Sequence, residues 1–259
     1  QVKPAKIPAD KISAYQKAVE ETFLNSKENM VINALAGTGK TTLLRHLASY
    51  KKPNEQWLYL VFNKKNQMEA SPGGDSPFPQ GVEVRTSHAF LGRVLSNNAK
   101  TGNIKDTEIQ TKGSKVTDMI DHGKWFFDKA TNEFNVPWKL VFALKMRVKK
   151  LANLSKNFTI DPKNPQKTFA LLEDLIGKYS IDTSLIEGMK NPPPGTHDYT
   201  DAIMELTYDI LRQSLPGTGM TPQHNASRDH DDTLWWAALH ADELNWPHYD
   251  VVLADEVQD

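Results

Sequence analysis

Met30-Val31-Ile32-Asn33-Ala34-Leu35-Ala36-Gly37-Thr38-Gly39-Lys40-Thr41-Thr42 is an apolar run of strand length that passes through a glycine-bearing loop. Leu43, Leu44 and Leu47 follow at helical spacing. A strand that turns through such a loop into a helix start is a phosphate-binding design. Phosphate oxygens need backbone N–H groups at close range, which Gly37 and Gly39 allow. They also need the partly positive end of a helix and a lysine for the β/γ-phosphates, here Lys40. The Thr41 hydroxyl suits Mg2+, and Ala36, Thr38 and Thr42 complete the nucleotide-contacting set. The strict pattern over residues 34–41 asks for glycine first, and Ala34 stands there instead. The plainer reading is a strand-to-helix turn with Lys40 as a solvated charge.

Working outward, strand-length runs recur at Trp57-Leu58-Tyr59-Leu60-Val61-Phe62, at Val82-Glu83-Val84-Arg85-Thr86 and at Val251-Val252-Leu253-Ala254. Ala18, Val19 and Phe23 give helical periodicity ahead of the first run. Strands alternating with helices predict an α/β fold with a parallel sheet, and residues 30–35, 57–62, 82–86 and 251–254 are expected side by side in one core. The last run delivers Asp255 and Glu256 at its end. Ligands of open parallel sheets bind at the carboxyl ends of the strands, where the phosphate loop also lies. Asp255 is placed to hold Mg2+, and Glu256 to orient and deprotonate a water. Seen alone, the pair is also a strand ending in a polar turn.

The middle of the chain differs. Residues 97–228 hold no convincing buried strand, and helices are expected near 116–130, 138–154, 166–179 and 199–213. In the second of these, Leu140, Leu144, Val148 and Leu151 share one face. This block reads as a helical subdomain inserted between residues 1–96 and 229–259. Its stretch 139–156 carries Lys139, Lys145, Arg147, Lys149, Lys150 and Lys156 with no acid. That density suits a phosphate backbone, or simply a solvated helix face. Asp229, His230, Asp231 and Asp232, with His224 nearby, suggest a metal cluster at first sight, but the spacing lacks a compact second ligand group.

Composition narrows the classes. Of 259 residues, 39% are hydrophobic and 24% charged, with a formal net charge of −1, so any nucleic-acid footprint must be local. Cysteine is absent, which excludes disulfide scaffolds and thiol catalysis. No apolar run is long enough to span a bilayer, so no membrane partner is expected and the protein reads as intracellular. The start at Gln1 and the end at Asp259 directly after an apolar run are expected to be cuts in a longer chain.

These motifs together resemble superfamily 1 DNA helicases of the UvrD/Rep/PcrA type. That family often has alanine at the first position of its phosphate loop, as at Ala34, and its second motif is Asp-Glu-x-Gln-Asp, matched by Asp255, Glu256, Gln258 and Asp259. Residues 12–19, Ile-Ser-Ala-Tyr-Gln-Lys-Ala-Val, resemble the Q motif, whose glutamine reads adenine; Ser13-x-x-Gln16 is also a helix capping box. Phe62-Asn63-Lys64 resembles motif Ia, which touches single-stranded DNA, although Phe62 alone also reads as core. It most resembles the form in F-box DNA helicases and some phage relatives. Thr86-Ser87-His88-Ala89-Phe90 resembles Thr-Phe-His-Ser, making His88 a candidate DNA contact or a structural histidine. Residues 229–234 resemble the segment where the family's inserted subdomain 1B returns to the motor core.

The resemblance implies a RecA-like P-loop NTPase sheet with an inserted, mainly helical subdomain. It implies ATP and Mg2+ as cofactors, single-stranded DNA and duplex junctions as partners, and a missing C-terminal RecA-like domain of the same protein. Lys40, Glu256 and Gln258 would form the catalytic set. Without the second domain the chain is not expected to unwind DNA. Two other classes stay open: a P-loop ATPase or kinase acting on a small molecule, and a non-catalytic nucleic-acid-binding module on the same scaffold.

Overall fold

β1 (Trp57–Val61) runs between β2 (Val82–Thr86) and β5 (Val251–Ala254), parallel to both. Trp57 pairs with Val82 and Val251, and Leu60 with Arg85 and Ala254. Four of the five β1 residues are buried, as a central strand covered on both faces requires. This computed structural model describes residues 6–35, 37–102, 104, 108–109, 114–121, 124–187, 197–215 and 227–256. Ala36, His224, Gln258 and Asp259 lie outside them.

Trp57, Tyr59 and Val61 project into a core that includes Leu44 and Ala48 of α2 (Lys40–Ala48), Ala70 of α3 (Lys64–Ala70), Phe78, Val82 and Leu253. Phe23 of α1 (Ala14–Asn25) packs edge-on against Trp57.

The expected strand over 30–35 is not formed. Ile32 packs against the core, but Val31 is 93% and Leu35 81% exposed. An inner parallel strand needs apolar cover on both faces, and this run has it on one. Its apolar composition therefore yields an anchored irregular segment, and the sheet of the described residues has three strands.

Two compact units make up the chain: Gln1–Phe90 with Trp246–Asp259, and Leu91–Asn245. The second contains most of α4 (Ser87–Lys100), then α5 (Lys115–Asp121), α6 (Lys124–Asp128), α7 (Val141–Asn157), α8 (Pro165–Lys178), α9 (Thr200–Ser214) and α10 (His230–Leu239). Of the face read from the sequence, Leu140, Leu144, Val148 and Leu151 are fully buried, and α7 packs against α5, α8, α9 and α10. α8 starts with an Asn164 cap and proline at its first position, which its missing N–H suits. A two-residue parallel pair, β3 (Glu108–Ile109) with β4 (Ser227–Arg228), is separate from the main sheet.

Residues 229–245, read from the sequence as part of the return to the sheet, pack with the helices instead. The reason is local. Trp235 and Trp236 are each 1% exposed, Trp235 donates through Nε1 to the Ile160 carbonyl (3.0 Å), and Asp232 receives Lys156 Nζ at 2.7 Å. Among the described residues, no helix is long and apolar enough to cross a membrane.

Candidate functional site

The loop before α2 needs glycine where φ is positive. Gly37 has φ +78° and Gly39 φ +86°, a region that residues with a Cβ rarely enter. Gly39 caps α2 without any side-chain hydrogen bond to the first turn. The first N–H groups of the helix are thus not taken up by a capping side chain, as an anion site requires. Thr38 closes the turn, its hydroxyl donating to the Leu35 carbonyl at 2.7 Å. Lys40 folds back within the loop, Nζ donating to the Ala34 carbonyl at 3.1 Å. Thr42 is exposed on the first turn.

Gln16 meets both of its readings. Its Oε1 accepts from Ser13 N–H (3.0 Å) while Ser13 Oγ accepts from Gln16 N–H (3.2 Å), a complete capping box for α1. Its Nε2 also lies 3.6 Å from where a Cβ on Gly39 would stand, so the amide edge borders the loop.

The two motifs meet at Asp255. Thr41 Oγ1 donates to Asp255 Oδ2 at 2.6 Å across 214 positions of chain. The backbone N–H of Asp255 continues the sheet to the Leu60 carbonyl (3.1 Å), fixing where the side chain starts. Oδ1 accepts the Glu256 N–H at 3.1 Å. Glu256 adopts φ +56°, uncommon for a residue with a side chain, and follows β5 directly after Asp255. A hydroxyl and a carboxylate in contact offer hard oxygen ligands of the kind Mg2+ takes, so the residues present fit that cation.

Tyr59 is the site residue that the sequence reading missed. It is 1% exposed, stacks on Phe78 (3.9 Å between centroids) and donates its hydroxyl to Asp255 Oδ2 at 2.9 Å. Burial, then the adjacent Asp255 charge and hydrogen bond, push its hydroxyl pKa far up, so it stays a donor. The available signal was parity: Tyr59 pairs with Leu253, and side chains two apart on a strand share a face.

Phe62, Asn63 and Thr86 leave β1 and β2 at the same carboxyl edge as Asp255, since Val61 pairs with Thr86 and Leu60 with Ala254. Phe62 is 54% exposed and is not a core residue. Asn63 caps α3, accepting from Asn66 N–H at 2.9 Å, and Lys64 Nζ reaches Gln67 Oε1 at 3.0 Å. His88 lies in the first turn of α4, half-buried, while Thr86 Oγ1 accepts the Ala89 N–H (3.2 Å).

In the helical unit the basic stretch is largely spent internally. Lys145 pairs with Asp121 (3.4 Å), Arg147 with Asp182 (3.2 Å) and Glu187 (3.7 Å), and Lys150 donates to the Tyr179 carbonyl (3.3 Å). Lys156 and Lys115 share the buried Asp232, at 2.7 and 3.9 Å, under the rings of Trp235 and Trp236. Asp229 and Asp232 form the capping box of α10. Those acids therefore serve helix and ion pairs, and the described residues contain no grouping of three or more metal-ligating side chains.

No family model matches the chain, and no solved structure matches it. Over 109 residues the chain is 29% identical to F-box DNA helicase protein 1 of Schizosaccharomyces pombe. The match covers 42% of this chain and 12% of that protein, so the chain spans about an eighth of its relative's length. The likeness supports a helicase-related relationship for a chain whose described residues form a mixed α/β structure around a three-stranded parallel sheet.

Proposed function

We propose that this chain is the ATP-binding and DNA-contacting portion of a superfamily 1 DNA helicase of the UvrD/Rep type, built on a RecA-like P-loop domain with residues 91–245 as its inserted helical subdomain. The contact between Thr41 Oγ1 and Asp255 Oδ2 carries the reading, because it joins the glycine loop to the acidic strand end. A small-molecule kinase would share that contact. The exposed Phe62 at the same sheet edge and the partial likeness to a DNA helicase favour a nucleic-acid-driven ATPase.

In this reading the N–H groups at the start of α2 and the Lys40 ammonium bind the phosphates, and Gln16 reads adenine. Thr41 and Asp255 would hold Mg2+, which would supply neutralisation of the phosphate charge. Glu256 takes the proton of the attacking water, with Gln258 beside it in the motif. Phe62, Asn63, Lys64 and His88 contact single-stranded DNA. A second RecA-like domain of the same protein would complete the cleft, and duplex junctions would be the substrate of the whole.

The test is nucleotide binding by this chain, followed by ATP turnover in the longer protein with and without single-stranded DNA. Magnesium-dependent binding and DNA-stimulated turnover are expected. Turnover indifferent to DNA would favour the small-molecule reading. Failure to bind nucleotide would leave a non-catalytic module.

A further inference from the structure

We propose that Tyr59 is a positioning residue for the cation site: its buried hydroxyl holds the Asp255 carboxylate against Thr41, and so sets the affinity for a divalent ion with its nucleotide. The inference rests on the reading above and adds a residue from neither of the two nucleotide motifs.

Packing accounts for the ring but not for the hydroxyl. Tyr59 lies at the middle of the central strand, 1% exposed, within an otherwise apolar core, and stacks on Phe78 at 18° between planes. A phenylalanine would fill the same space. A buried hydroxyl has to find a partner, and this one finds Asp255 Oδ2 at 2.9 Å. The register makes the reach possible. Tyr59 stands opposite Leu253, so Asp255 is the next residue along β5's direction on the same face, a diagonal neighbour within range of a long side chain.

Asp255 is then held from three sides. Oδ1 accepts the Glu256 N–H, while Oδ2 accepts both the Thr41 and Tyr59 hydroxyls. Thr41 is exposed and belongs to the loop–helix segment, so a cation that it ligates would compete with Asp255 for its hydroxyl oxygen. Tyr59 belongs to the central strand of the sheet and is 1% exposed. It is the partner that keeps the carboxylate's rotamer fixed when Thr41 turns to the cation. Hydrogen bonds that orient a metal ligand from behind typically matter about 10- to 100-fold in metal affinity or activity.

The experiment is Tyr59→Phe in the full chain, which keeps the ring and removes the hydroxyl. Binding of a fluorescent ADP analogue is measured in EDTA and in Mg2+, and Mn2+ binding to the nucleotide complex is followed by electron paramagnetic resonance. The expected result is nucleotide binding in EDTA within about twofold of the unaltered chain, and Mn2+ affinity lower by roughly 10-fold or more. Combining Tyr59→Phe with Asp255→Asn should add nothing further, since Tyr59 acts through that carboxylate.

Unchanged Mn2+ affinity in Tyr59→Phe overturns the inference while leaving the nucleotide reading intact. Equal losses with and without the divalent ion, accompanied by a lowered melting temperature, overturn it by showing a structural role alone. Absence of Mg2+-dependent nucleotide binding in the unaltered chain overturns the functional reading and this inference with it.

Discussion

Phe62→Ala separates a DNA-contacting aromatic from a core aromatic, and the structure sets the scale of each effect. A fully buried phenylalanine cut to alanine costs about 3–5 kcal/mol. Phe62 is 54% exposed, immediately after Val61 at 1%. With roughly half of a ~200 Å² side chain covered, at ~25 cal/mol per Å², its burial contributes at most about 2.5 kcal/mol. Because the unfolded chain already hides part of that area, the loss should be smaller still. Stacking of one base on an aromatic is worth about 1–3 kcal/mol, so affinity for single-stranded DNA should fall roughly 5- to 150-fold. Anisotropy of a labelled oligothymidine at fixed salt, beside a thermal melt, reads both quantities. Asn63 is a poorer probe, because its side chain caps α3 and its loss would destabilise the helix whether or not DNA binds. A large drop in melting temperature with unchanged DNA affinity would refute both the exposure argument and the contact. Loss of neither would remove Phe62 from the DNA surface.

Lys40→Ala should weaken nucleotide binding by removing the charge of the loop, whereas Glu256→Gln should spare binding and reduce turnover in the longer protein by about 10²–10⁴-fold. Equal loss of binding in both, by calorimetric titration, would show the roles to be wrong. Asp232→Asn leaves Lys115 and Lys156, both essentially buried, without their shared carboxylate. Breaking such a pair from one side costs about 3–5 kcal/mol, so denaturant unfolding of the helical unit should shift strongly, and a shift below ~1 kcal/mol would contradict the buried bridge. Burial lowers the Lys115 pKa from its usual 10.5 to about 8, with the lysine at Lys156 adding to the effect and the acids opposing it. Between those values the unfolded lysine keeps a proton that the folded one has lost, so this group's contribution to stability rises with pH over that window. In Lys115→Met that increment should vanish from urea titrations at pH 8 and 10; an identical pH slope in both proteins would refute it.

Local conformation written in adjacent residues was legible in the sequence; pairing between distant segments was only partly so. Gly37 and Gly39 announce positive φ because few other residues tolerate it, and Ser13-x-x-Gln16 announces a cap. The continuous apolar run Trp57-Leu58-Tyr59-Leu60-Val61 announces a strand of the kind that is covered on both faces. Residues 30–35 carry the same signal and form no strand, because apolar composition does not say whether cover exists on both sides. The cations of α7 show the same limit. Their partners Asp121, Asp182 and Asp232 come from other segments, so a local count of charge could not see the neutralisation. Tyr59 was hidden by its own composition: in an apolar strand a tyrosine reads as bulk until the register shows which carboxylate its hydroxyl meets.

The same reasoning explains how an interrupted sheet can hold a site whose parts lie 214 positions apart. Closing a floppy loop costs entropy that grows only with the logarithm of its length, but the excursion over residues 91–245 is not left as a floppy loop. Asn98, 2% exposed on α4, donates through Nδ2 to the Asn245 carbonyl at 3.1 Å and accepts the Asn245 N–H through Oδ1 at 2.7 Å. A side-chain amide here copies the two-way exchange of a sheet pair and clamps the exit of the helical unit to its entrance. The clamp ties α4 to Asn245, the last residue of the helical unit, and β5 begins six residues later at Val251. Trp246 and Tyr249 then pack on Phe90, and the Tyr249 hydroxyl donates to Glu83 Oε2 at 2.7 Å, which seats the segment leading to β5. Parallel pairing of β5 with β1 then carries the chain to Asp255, whose N–H donates to the Leu60 carbonyl (3.1 Å) and whose carboxylate meets Thr41.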